Sequence, residues 1–82
     1  MYEVVFTKKA EKDFDSLDVG IKQRVVQVLE RIKLDPKPFL KRLSGTDSHR
    51  LRVGDYRVII DLEEAKKELV VLKIGHRKNV YD

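Results

Sequence analysis

The chain has no cysteine. That excludes a disulfide framework and any cysteine-based zinc site. No apolar run is long enough to cross a bilayer, and the start carries no signal-peptide pattern. The expected location is therefore the cytoplasm, with no membrane partner. Carboxylates are not gathered at metal-ligand spacing: Glu63, Glu64 and Glu68 share one turn with lysines, as a solvated loop does. No glycine-rich phosphate loop leads into a helix, and no Ser-His-Asp arrangement occurs. Neither a metal nor a cofactor is expected. A chain of 82 residues allows one small domain, 1–82, with one sheet face packed on one helical layer.

What the chain does have is positive charge, unevenly spread. The formal net charge is +4. From Lys37 to Arg57 there are six Lys or Arg and two Asp, giving +4. From Lys73 to Tyr81 there are three Lys or Arg and no acid, giving +3. The remainder is net acidic. Such asymmetry points to a polyanionic partner, of which nucleic acid is the usual one.

The centre of the basic half is His49-Arg50-Leu51-Arg52-Val53-Gly54-Asp55-Tyr56-Arg57. Arg50 to Val53 alternate polar and apolar, the period of a half-buried strand. Tyr56 to Leu62 is rich in β-branched and aromatic residues, as strands are. Only Gly54-Asp55 lies between them, and glycine first in a two-residue loop predicts a II′ hairpin. That turn sets Val53 against Tyr56, Arg52 against Arg57 and Leu51 against Val58. Arg50, Arg52 and Arg57 then share one sheet face; Leu51, Val53, Tyr56, Val58 and Ile60 share the other.

Before the hairpin, Tyr2, Val4 and Phe6 alternate as a first strand. Thr7 is an N-cap candidate for a helix over roughly 8–16, with Ala10, Phe14 and Leu17 on its apolar side. Asp18 is expected to cap a second helix, whose stripe is Ile21, Val25, Val28 and Ile32, widened by Leu29. Asp35-Pro36-Lys37-Pro38 stops it. Residues 39–48 read as a loop in which Leu40 and Leu43 tuck against the core. After a charged turn, a last strand over 69–76 is expected to turn Val70, Leu72 and Ile74 to the core. Lys73 and Arg77 would then join the arginines, with Ile59 and Val71 as an apolar floor. The predicted order is β-α-α-β-β-β: an α+β fold with a mainly antiparallel four-stranded sheet and a helical hairpin on one face.

Arginine stays protonated and offers a planar fork that suits phosphate, so it can hold a phosphodiester and stabilise charge building on it. It is a poor general base for the same reason. Proton transfer would fall to His49, His76, Tyr56, Tyr81 or a lysine. His49 and Tyr56 have core parity, which favours structural roles. His76 closes the last strand and is open to either role. Tyr81 is either part of a frayed end or a working residue. Without a metal, phosphodiester cleavage would need a positioned 2′-hydroxyl.

Three stretches carry a family resemblance: Leu43-Ser44-Gly45; Arg50-Leu51-Arg52-Val53-Gly54-Asp55-Tyr56-Arg57-Val58-Ile59; and Ile74-Gly75-His76-Arg77-Lys78-Asn79-Val80-Tyr81. In these, and in length and element order, the chain resembles the RelE family of toxins from type II toxin–antitoxin systems, within the wider RelE/ParE fold group. The resemblance implies a ribosome-dependent, metal-independent endoribonuclease that cuts mRNA in the A site by 2′-hydroxyl attack. It implies phosphate-holding roles for Arg52, Arg57 and Arg77, and stacking or proton transfer for Tyr81. Arg50, Lys73, His76, Lys78, Lys41 and Arg42 are the expected RNA contacts, and His76 is a reserve acid–base group. The implied partners are a RelB-like antitoxin, the ribosome and mRNA. Ser48 stands where well-studied members carry a lysine, so a lysine-based proton transfer has no residue here. The alternatives are a ParE-like gyrase inhibitor and a non-catalytic RNA-binding or corepressor module.

Overall fold

The computed structural model describes residues 1–80. Alternation at Tyr2, Val4 and Phe6 yields strand β1, Glu3–Phe6. Thr7 then caps helix α1, Lys8–Asp15; its hydroxyl accepts the Ala10 N–H at 3.1 Å. Helix α2 spans Val19–Ile32. Asp18 stands at its N-cap, but the side chain makes no capping bond. The proline pair ends α2 as expected and leads into a single 3-10 turn, Lys37–Phe39. Four further strands follow: β2 Lys41–Arg42, β3 Ser48–Val53, β4 Tyr56–Glu63 and β5 Glu68–His76.

The sheet order is β1-β5-β4-β3-β2, with β1 parallel to β5 and the other pairs antiparallel. The α+β class and element order agree with the sequence reading; the strand count is five where four were expected. The extra strand is two residues of the presumed loop, Lys41 pairing with Arg50 and Arg42 with His49. The chain doubles back there through Gly45, at φ 75°, and the Leu43 N–H closes on the Ser48 carbonyl at 2.9 Å. Leu40 packs against the core as expected, whereas Leu43 is half-buried outside it.

Val25, Leu29 and Ile32 of α2 and Ala10 of α1 share one core with Leu51, Val53, Val58 and Ile60 of the hairpin. From β5 the core takes Leu69, Val71 and Ile74. This corrects the expected core roles of Val70 and Leu72, while that of Ile74 holds. The register slips between Ile59 and Ile60: Ile59 faces Lys73, while Ile60 faces Val71. Leu72 is the extra residue of a β-bulge, which reverses the alternation on one side of it. Val71 is therefore core and no part of a floor on the other face. Ile59 does lie on that face, only 8% exposed and outside the core cluster.

Candidate nucleic-acid interface

The hairpin sets the geometry. Its observed pairs are Val53–Tyr56, Arg52–Arg57 and Leu51–Val58, the predicted register. Gly54 has φ 60° and Asp55 has no positive φ, as a II′ turn requires. On the face away from the helices, one row runs Arg52, Arg57, Gly75 and the next runs Arg50, Ile59, Lys73. The bulge keeps Lys73 on this face, so four of the five expected cations share it by register. Arg77 follows the end of β5, where its backbone N–H donates to the Asp55 carbonyl at 2.8 Å. Both the hairpin turn and the segment after β5 therefore meet at one corner of the sheet.

Arg57 is held in place. Its Nη1 donates to the carbonyls of Gly54 and Tyr56, each at 3.0 Å. Both hydrogens of that nitrogen are used, which leaves the Nε–H and Nη2 edge, a two-pronged donor. Among the described residues, no carboxylate lies within ion-pair distance of Arg52, Arg57 or Arg77.

The remaining sequence candidates divide. Lys78 is exposed in the turn after β5. Lys41 and Arg42 lie on the short edge strand, and Arg42 pairs with Asp47 at 3.0 Å. His76 faces Tyr56 across the ladder, their rings edge-on at 5.5 Å, so register puts it on the face opposite Arg57. Its Nδ1 accepts the Lys78 N–H at 3.2 Å, which leaves the proton of the neutral ring on Nε2. Tyr81 lies outside the described residues. His49 is half-buried with core parity, and its Nδ1 has no partner among the described residues. It borders an open hollow of about 660 Å³ with Leu40, Arg42 and Leu62, which Arg50, Arg52, Arg57 and Arg77 do not line. At its rim Lys37 pairs with Glu64 at 3.1 Å, and that hydrogen bond raises the lysine pKa above its ordinary value. Among the described residues, no group of three or more His, Cys, Asp or Glu is arranged to hold a metal.

Two residues escaped the sequence reading. Arg24 of α2 lays its guanidinium against Gly54: Nη1 is 3.1 Å from where a β-carbon would stand. No local pattern signals that contact. Asp61 lies across from Ser48 and accepts its hydroxyl at 2.9 Å. Ser48, where the family resemblance led to the expectation of a lysine, thus belongs to a serine–carboxylate pair on the arginine face.

A family model described as the ParE toxin of type II toxin–antitoxin system, parDE, matches residues 4–81. The curated Toxin RelG of Mycobacterium tuberculosis is 31% identical over 85 residues, covering 98% of this chain and 95% of that protein. Toxin RelE3 of Methanocaldococcus jannaschii is 28% identical over 86 residues, covering 98% and 96%. Among solved structures, the RelBE2 toxin–antitoxin complex of Mycobacterium tuberculosis superposes with TM-score 0.83 at 26% identity, covering 93% of this chain and 98% of that one. The archaeal RelE–RelB complex of Pyrococcus horikoshii gives 0.81 at 29%, covering 96% and 98%.

Proposed function

Because the chain belongs to the RelE/ParE family of toxins of type II toxin–antitoxin systems, we propose that it is a ribosome-dependent endoribonuclease, cutting mRNA in the ribosomal A site and halting translation. The observation that carries this reading is the Arg52–Arg57 pair, in register on a sheet face away from the helices. Like charges directly opposite each other are unfavourable unless an anion shares them. A phosphodiester is such an anion, and the free Nε–Nη2 edge of Arg57 fits two of its oxygens.

The reaction needs no metal. The mRNA 2′-hydroxyl attacks the adjacent phosphorus, its proton passes to a base, and the 5′-oxygen of the next nucleotide leaves with a proton. The products are a 2′,3′-cyclic phosphate and a 5′-hydroxyl. Arg57 and Arg77 hold the phosphate and stabilise the charge that builds on it. Arg52, Arg50 and Lys73 add to the field, and Lys78, Lys41 and Arg42 reach flanking phosphates. Tyr81 stacks on a base or moves a proton, with His76 in reserve. The partner is a RelB-like antitoxin, a reading supported by the toxin–antitoxin complexes among the structural relatives, and it masks this face. This activity places the protein where ribosomes translate, in the cytoplasm. No helix among the described residues is long and apolar enough to cross a membrane.

The description of the matching family model favours a second reading, gyrase inhibition without cleavage. The names of the curated relatives, RelG and RelE3, weigh towards RNA. The deciding experiment is single-turnover cleavage on programmed ribosomes, beside a gyrase supercoiling assay. The expected result is cut mRNA with a 5′-hydroxyl on the downstream fragment and unimpaired gyrase. A 5′-phosphate would sink the 2′-hydroxyl mechanism, and intact mRNA with inhibited gyrase would establish the rival. Arg57→Ala should lower the cleavage rate about 10²–10³-fold, roughly 3–4 kcal/mol in barrier, far more than it lowers ribosome affinity.

A further inference from the structure

Gly75 sits inside β5, directly across from Arg57. Glycine in a strand interior often marks the close approach of another segment. Here that segment is the chain just after β5. The Asn79 and Val80 N–H groups bond the His76 carbonyl at 2.8 and 3.0 Å, turning the chain back. Val80 then lies over Gly75: its Cβ is 3.4 Å, and its Cα and Cγ2 3.6 Å, from where a β-carbon on Gly75 would stand. Val80 is 3% exposed yet stands outside the core cluster. Its burial is therefore against the arginine face of the sheet, on the spot the missing side chain would fill.

We propose that Val80, seated on Gly75, is a positioning residue that walls in Arg57 and pins the segment bearing Arg77. This rests on the reading that those two arginines hold the scissile phosphate. Cross-strand neighbours stand about 5 Å apart. Val80 thus borders Arg57 on one side, Arg52 borders it on the other, and the turn carbonyls hold its Nη1. An arginine side chain has several rotatable bonds, and each wall removes conformers in which its fork points away from substrate. The same contact fixes residues 77–80 at a second point, the first being the Arg77 N–H bond to Asp55. The Arg77 backbone cannot swing away while both hold.

The test uses Val80→Ala and the isosteric Val80→Thr, each alone and in an Arg77→Ala background. Thermal melts first establish that each variant is folded at assay temperature. Val80→Ala should cut the maximal single-turnover rate at least tenfold, with the half-saturating concentration within about twofold of wild type. Val80→Thr keeps the shape of the wall and should keep the rate, even where its melting point falls. In the Arg77→Ala background, Val80→Ala should lose less than in wild type, since one of its two clients is gone. A second readout is independent of cleavage. The Arg57 Nε–H resonance should be distinct and slowly exchanging in wild type and Val80→Thr, and averaged in Val80→Ala. Wild-type rate and an unmoved Arg57 resonance in folded Val80→Ala would overturn the proposal, as would losses that simply track melting temperature across both variants. If wild type itself fails to cut, the ribonuclease reading falls, while the resonance still decides whether Val80 orders Arg57.

Discussion

Asp13 joins elements that are 61 residues apart. Strand β1 pairs with β5 only from Glu68 to Val71, so beyond that point one edge of β5 has no strand beside it. Helix α1 covers the gap. The Thr7 N–H and hydroxyl reach the carbonyls of Val71 and Leu72, at 3.0 and 3.3 Å, and Asp13 Oδ2 accepts the Ile74 N–H at 3.0 Å. The other carboxylate oxygen takes Lys9 at 2.6 Å. The Lys9 pair is exposed on one side and contributes little. The bond to Ile74 matters more, because a buried N–H left without a partner costs about 1–3 kcal/mol. Asp13→Ala should lose about that much, and Asp13→Asn, which keeps a carbonyl acceptor, clearly less. Urea unfolding of the three proteins checks this; equal midpoints would show that the bond contributes nothing. In sequence Asp13 has only a lysine at i−4 to suggest a role, since nothing local marks a backbone partner so far along the chain.

The strands differ in how legible they were, and the cause lies in their turns. The β3–β4 register could be read because a two-residue loop beginning with glycine admits one pairing. Arg52 opposite Arg57 followed at once. In β5 the run Leu69-Val70-Val71-Leu72 is apolar at both parities, so the pattern does not locate the extra residue. The bulge at Leu72 then exchanged the core roles of Val70 and Leu72 for those of Leu69 and Val71. Lys73 nonetheless stayed on the arginine face, because parity beyond the bulge is that of the sequence reading. β2 was missed because two residues hold no period. The site itself was legible where it is strand and obscure where it is not: Val80 and Arg24 meet it through tertiary contacts. The hairpin turn holds these parts together and supplies a test at this scale. At Gly54 φ is 60°, and an added β-carbon meets only the flexible end of Arg24, so the cost of Gly54→Ala comes mainly from the backbone. Holding a residue with a β-carbon in the backbone conformation of the first II′ position costs roughly 1–3 kcal/mol. Stability by denaturant should fall by that amount. An unchanged midpoint in Gly54→Ala would mean that the turn is not type II′.

Across the whole molecule, Arg50, Arg52, Arg57 and Lys73 share the sheet face away from the helices and Arg77 follows at its corner, so an anionic partner meets a cluster of cations there. At physiological salt, interactions between exposed charges are screened over about 8 Å, a distance comparable to the spacing of neighbouring strands and rows on this face. The field there is collective for an RNA backbone crossing it. Release of counterions from a single strand lowers log affinity by about 0.7 per log unit of salt for each phosphate neutralised. If Arg50, Arg52, Arg57, Lys73 and Arg77 each neutralise one, the slope contributed by the toxin is about −3.5, and a fourfold rise in salt weakens binding roughly a hundredfold. Ribosomes respond to salt on their own account, so the informative quantity is a difference between proteins on the same ribosomes. With mRNA blocked by a 2′-O-methyl group at the cut site, Arg52→Ala should give a slope shallower by about 0.7. Asp13→Asn, on the helix side, should leave it unchanged. Parallel salt plots for wild type and Arg52→Ala would remove Arg52 from the RNA contact. They would also leave its repulsion with Arg57 without the anion proposed to share it.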